Sequence, residues 1–188
     1  MANQKYRLLE DDTIVREGRK LYRIQALRHV TEKVEARTLG GYIESEANLS
    51  DKGESWVFEN ACAYEEARVE DHARLCDQAT LRGKARLRRT ATMHDQAIAQ
   101  DEAMIEGDIL LLGHAVVRGR AKIKGCVRIT DFVQVGDHAR VEGEESRGLW
   151  ITGTTMILGN TVMQGAGFFS EEEAILEAGS FLVEEEED

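Results

Sequence analysis

A chain of 188 residues with 42% hydrophobic but only 6% aromatic side chains fits one domain whose interior is filled by aliphatic residues and alanine. Its formal charge of −11 is concentrated at one end: residues 171–188 hold nine acidic and no basic residues, leaving 26 acids against 24 bases in the first 170. A near-neutral body excludes general nucleic-acid binding, which needs a net basic surface. The acidic end reads as a solubilising tail or a contact for a basic protein partner.

Cys62, Cys76 and Cys126 lack CxxC spacing and are odd in number, so neither a zinc site nor a disulfide framework is indicated and a reducing cytoplasm is the expected setting. The first 30 residues are charged throughout. They contain no signal-type apolar region, and no membrane contact is expected.

Residues 1–46 are expected to form an N-terminal cap. Tyr6-Arg7-Leu8-Leu9 and Leu21-Tyr22-Arg23-Ile24, joined through Arg16-Glu17-Gly18-Arg19, predict a small β-hairpin that covers the first coil of a repetitive region.

That region, residues 47–167, carries an internal repeat, the signal that decides the fold. Stepping by six from Val57 to Val141 meets fifteen consecutive apolar stations. Two residues before each lies a small or aliphatic residue, alanine at eleven of the fifteen; two residues after lies Gly, Asp or Glu at all but Arg89. Period six does not keep to one face of an α-helix. Within each unit the small residue and the aliphatic are two apart, so both point to one side of a short strand. The Gly or acid falls at a turn, where it tolerates positive φ or satisfies backbone amides. Three such strands and corners close an 18-residue coil. The prediction is all-β: a left-handed parallel β-helix of six to seven coils.

Spacing of 18 is supported by charge. Residues 70, 88, 106, 124 and 142 are Glu, Arg, Glu, Lys and Glu, and residues 66, 84, 102, 120 and 138 are Glu, Lys, Glu, Arg and His. Opposite charges one rung apart stabilise each other by roughly 0.2–1 kcal/mol, and Arg89 stacks above Asp71. The outward residues then distinguish three faces. Trp56, Phe58, Cys76, Leu110 and Leu112 lie on the first, and Cys62, Tyr64, Ile98 and Val116 on the second. The third carries the ladders with Arg68, Arg86, Met104, Lys122 and Arg140 between them. The apolar pair is expected to meet other subunits, in a homotrimer, or the terminal segments; the third faces water.

After Val141 the stretch Glu142–Gly148 inserts four residues. Beyond it, residues 168–188 read as a short C-terminal helix and acidic tail, with Ser170 as N-cap, Glu171 to Glu173 in the first turn and Ile175, Leu176, Phe181 and Leu182 as the apolar side.

The run Gly40-Gly41-Tyr42-Ile43-Glu44-Ser45-Glu46-Ala47-Asn48-Leu49-Ser50, with Ser55-Trp56-Val57-Phe58-Glu59-Asn60-Ala61 and the opening Lys5-Tyr6-Arg7-Leu8 and Leu21-Tyr22-Arg23-Ile24-Gln25-Ala26-Leu27, resembles the YdcK-type hexapeptide-repeat proteins over about residues 4–168. That group occurs in bacteria and their phages and is assigned to the transferases by analogy with trimeric hexapeptide acyltransferases. The resemblance implies the fold; activity is a separate question.

Acyltransferases of that kind use a histidine base near a subunit boundary, beside a loop ejected from the coil. His72, His114 and His138 occupy corner positions where a polar side chain needs no explanation. His94, between Cys76 and Leu112 in one column, is the candidate catalytic base of an acyltransferase taking a coenzyme A thioester, although no insertion lies beside it. A structural or interaction module without a cofactor is the leading expectation, and a phage-type protein that binds a host factor through the acidic tail is a further one. Arg68, Arg86, Lys122 and Arg140 form a basic column able to hold an anionic ligand. The column Glu59, Asp77, Asp95 and Asp131, interrupted by Gly113, stacks carboxylates. A hard cation would relieve their repulsion, but capping of turn amides is the plainer role, and no metal site is expected.

Overall fold

A computed structural model describes residues 3–171 and 173–184. Among them only Glu46–Asn48 is helical, as a single 3₁₀ turn. From Leu39 the chain winds into a parallel β-solenoid of about eight turns of roughly 18 residues, the left-handed β-helix that the hexapeptide spacing predicts. All fifteen stations from Val57 to Val141 are at most 1% exposed, and so are the small residues two before them. Alanine there is a packing requirement, because three inward rows converge on a narrow axis.

Strands stack in register one coil apart. Thr92 pairs with Arg74 below and Leu110 above on the first face; Ile98 pairs with Thr80 and Val116 on the second; Met104 pairs with Arg86 and Lys122 on the third. The four inserted residues are expelled at a single corner. Lys122 still pairs with Arg140, but Val127 pairs with Leu149.

The corners carry one recurring bond. The non-glycine residues there sit at positive φ, from 45° at Glu59 to 61° at Asp101. Their carboxylates reach up the axis and accept the backbone N–H of the next coil's corner. Asp77 accepts from Asp95 at 3.0 Å, Asp95 from Gly113 at 2.9 Å, Asp101 from Gly119 at 2.8 Å, Asp137 from Gly159 at 3.0 Å and Glu65 from Gly83 at 2.7 Å. The acids at the turns thus satisfy amides that the tight bend leaves without a strand partner.

The N-terminal hairpin forms as expected, and its strands are longer than the apolar residues suggest. Strand β1 (Tyr6–Arg16) and β2 (Arg19–Ala26) are joined by Glu17-Gly18, both at positive φ, the turn whose twist matches paired strands. Strand β2 pairs antiparallel with β3 (Leu39–Ile43), which pairs parallel with Cys62–Ala63. The hairpin therefore continues the second face and closes its edge. Its tip folds over the outside, where Arg19 pairs with Glu44 at 2.8 Å and Arg82 pairs with Glu17. Ile14 and Leu21 pack with Tyr42, Cys62 and Tyr64.

Trp56, assigned by sequence to an outward position, is fully buried, with Tyr6 edge-on at a 6.3 Å centroid distance. The Tyr6 hydroxyl donates to the Leu49 carbonyl at 2.7 Å, and the Lys5 ammonium to the Ser50 carbonyl at 2.7 Å and the Ser55 hydroxyl at 3.1 Å.

The expected C-terminal helix is not found. Gly167–Glu171, Ile175–Leu176 and Ser180–Val183 are strands that add another coil, which is why the solenoid exceeds six to seven turns. Phe169, Ile175 and Phe181 continue the six-residue phase, but a one-residue slip puts Leu176 above Ile157 and leaves Ile175 60% exposed. Of the acids taken for a helix start, Glu171 ends a strand and Glu173 sits at a corner with φ 59°. Glu172 and residues 185–188 lie outside the described residues.

Burial pushes the Lys5 ammonium from 10.5 down to about 8, aided by Arg28, and pushes the Tyr6 phenol above its usual range. Between these limits the unfolded chain binds more protons at Lys5, so stability rises with pH; above the ordinary tyrosine range the folded state retains the Tyr6 proton, and stability falls. Urea midpoints should therefore climb from pH 8, peak at about pH 10, and lose most of that climb in Lys5→Met.

Candidate functional site

His94 is half-buried on the first face, at the edge next to the corner that carries Asp77 and Asp95. Its Nδ1 lies 3.0 Å from Asp77 Oδ2, an oxygen that also accepts the Asp95 amide. The amide bond and, after it, the His94 contact hold the Asp77 carboxyl below the usual range. The carboxylate engages the imidazole through Nδ1; a ring oriented in this way is one that can serve as a general base. Sequence spacing places Asp77 among turn acids and misses this contact, which crosses 17 residues from one corner to the next coil.

The thiol in the same column is not a nucleophile. Burial, with Glu59 and Asp77 nearby, pushes Cys76 up to about 12. Trp56 is covered by Tyr6 of the chain's own N-terminal segment, and Cys76 is 8% exposed. Leu110 and Leu112 on the first face, with Ile98 and Val116 on the second, remain half-exposed.

His94 and the Glu142–Gly148 insertion are not brought together. The insertion enters the first face from the third, ahead of Leu149, which pairs with Val127. His94 lies at the opposite edge of that face, three coils lower. The insertion instead walls a groove of about 1100 Å³ along the corner between the third and first faces, lined by Glu106, Asp108, Lys124, Cys126, Glu142 and Glu144 among others. Its floor is a column of glycines at 107, 125, 143 and 165. A Cβ on Gly107 would stand 2.2 Å from the Gly125 carbonyl oxygen, and one on Gly125 only 1.9 Å from that of Gly143. Glycine every 18 residues is a readable signal of this bend. Cys126 lies in the groove with Sγ 3.9 Å from Asp108 Oδ2; desolvation and that carboxylate raise its pKa. The groove thus offers mixed charge, acids beside Lys124, Arg89 and His72, and a thiol held toward its protonated form.

The other histidines are peripheral. His72 Nδ1 is 3.4 Å from Glu54, and His114 stacks on Phe132 with centroids 4.9 Å apart. His138 occupies an exposed corner. Sequence reasoning also misses an exposed aromatic pair, Trp150 over Phe168 one coil apart on the first face, 48% and 63% exposed.

The corner carboxylates act as amide caps. Asp131 accepts from Gly153 N–H at 3.2 Å and from Thr130, and its oxygens are further engaged by Thr152. Among the described residues no group of three His, Cys, Asp or Glu side chains is arranged to hold a metal ion.

On the third face Arg68, Arg86, Lys122 and Arg140 all project outward and are exposed. The ladders beside them pair as charge alternation requires: Arg88 with Glu70 at 3.3 Å and Arg120 with Glu102 at 3.1 Å. Arg89 stacks above Asp71 as expected, but through its backbone. Its backbone N–H is capped by Asp71 at 3.0 Å, while its guanidinium pairs with Glu106 at 3.1 Å.

No family model matches the chain, and no curated protein is significantly similar to it. Among the described residues no helix is long and apolar enough to cross a membrane.

The geometry sets an order of thiol reactivity. A maleimide reagent should label Cys126 first in the native protein and reach Cys62 and Cys76 only on unfolding, read by mass spectrometry. Rapid labelling of Cys76 under native conditions would contradict its burial.

Proposed function

We propose that this chain is a hexapeptide-repeat interaction module of the YdcK type, soluble in the cytoplasm, that assembles as a homotrimer through its first and second faces and acts through its surface. The observation that carries this reading is the division of the outer surface. Ile98, Leu110, Leu112 and Val116 leave apolar positions beyond the reach of the cap, joined by Phe132, Trp150 and Phe168, each 48–63% exposed. Apolar surface repeated along two faces is costly in water and is relieved by burial against another subunit. The third face carries charge pairs that lose nothing by staying wet. Sedimentation velocity should give three times the chain mass, and Leu110→Glu with Val116→Glu should give the single-chain mass with an unchanged far-ultraviolet spectrum. A wild-type monomer at high concentration would end the trimer reading.

The 3.0 Å contact between His94 and Asp77 favours a second reading, acyl transfer from a coenzyme A thioester with His94 as general base and Asp77 as its positioning residue. The wild-type protein would then gain thermal stability with an acyl donor. Saturation at a hundredfold Kd contributes about 2.7 kcal/mol, a rise of roughly 5–10 °C for a chain of this size. His94→Ala would retain the shift and lose turnover. No shift across a panel of acyl donors removes this reading and leaves the first intact.

A further inference from the structure

The two ladders of the third face follow one rule for charge: opposite signs stack one rung apart. The central column of the third face breaks it. Arg68 lies directly across from Arg86, and Lys122 directly across from Arg140. Like charges facing each other on neighbouring strands are destabilising. Among the described residues none of the four takes part in an ion pair. The acids beside them are engaged elsewhere, Glu70 with Arg88, Glu106 with Arg89 and Glu102 with Arg120. The half-buried Met104 separates the two pairs, in register with Arg86 and Lys122. The column ends at Val162, which pairs with Arg140. It is a bounded row of cations, about 19 Å long at the rung spacing of a sheet, held straight by the coil register.

We propose that this row is a binding site for a single-file polyanion of the linear polyphosphate class, laid along the solenoid axis. Each pair sets two cationic residues on adjacent rungs about 4.8 Å apart, so that two phosphates of one chain can each meet a cation. The second pair takes the same chain three rungs further on. Width decides the class. Residues two apart along a strand are about 6.6 Å apart, so the row is flanked by the alternating columns Glu66, Lys84, Glu102, Arg120 on one side and Glu70, Arg88, Glu106, Lys124, Glu142 on the other, and Glu46 and Asp51 share a recess with Arg68. A narrow chain touches only the unbroken cations, whereas a duplex with two phosphate strands overlaps columns that set a carboxylate at every second rung. The proposal concerns the face that the trimer leaves free, and it stands whether or not the trimer forms.

The test is fluorescence anisotropy of an end-labelled linear polyphosphate with the full-length chain, titrated at low and at physiological salt. Binding is expected to weaken as salt rises, and to fall at least tenfold in the double variant Arg86→Glu with Lys122→Glu. A control reversal of equal charge per site, Arg74→Glu on the first face, should change it less than twofold. Because Arg86→Glu sets a carboxylate next to Arg68 and restores alternation, it should also raise the melting temperature, by about 2 °C. Loss of binding with a gain in stability is an outcome that a merely structural column would not give. The proposal is overturned if wild type fails to bind at low salt, if Arg74→Glu weakens binding as much as Arg86→Glu, or if duplex DNA or polyglutamate binds as tightly as polyphosphate.

Discussion

A carboxylate at a left-handed corner, accepting the amide of the corner one coil above, is the contact on which the rest of this molecule depends. A strand of two or three residues has little intrinsic stability, and the bend after it strains any residue with a Cβ and strands a backbone amide. Asp and Glu meet both demands with one side chain. The bond also points along the axis, so each corner fixes the height and rotation of the next. Asp77 to Asp95 to Gly113 is such a chain of corners. Because one bond is exposed and worth about 1 kcal/mol, order comes from repetition along two edges, the third being capped at Asp71 and otherwise turned by glycine.

Once corners fix the register, the columns become the unit of chemistry. Inward columns must narrow to alanine and one aliphatic, and outward columns set residues 18 apart against each other along most of the length. Each face then follows its own column composition. The first and second faces are apolar where the cap or another subunit can cover them, and the third is charged. The same geometry brings His94 to Asp77, and it gathers the unpaired cations of the third face into one row. Sites on this fold arise between coils, from residues 17 to 22 apart, and seldom from neighbours in sequence.

That geometry explains what can be read without a structure. Val57 to Val141 keep strict phase because each fills an identical slot, so period six exposes the coil, and the ladders at 70 to 142 expose its length of 18. The last coil escapes a sequence reading because an extra residue before Leu176 offsets the inward row, and because acids that suit corners also suit a helix start. Trp56 is misplaced by its spacing, since its position in the repeat is outward. The long-range approach of Tyr6, edge-on to its ring, covers it, and no local pattern records that. The Asp77 contact with His94 is hidden by the very regularity of the column, in which every acid has the same turn-capping duty. The glycine-floored groove is legible as Gly107, Gly125 and Gly143, but the repeat absorbs those residues as ordinary turn positions.

Equilibrium urea unfolding of Asp101→Gly against wild type isolates the corner bond from the corner's backbone. Asp101 sits at φ 61° and caps Gly119 at 2.8 Å, and glycine keeps the corner conformation while deleting only the carboxylate. If the corner bond holds the coils together, the variant is less stable by about 1 kcal/mol and the Gly119 amide exchanges faster with solvent. A variant as stable as wild type, or more so, would mean that the corner needs only a permissive backbone, and would contradict the role given to the carboxylate.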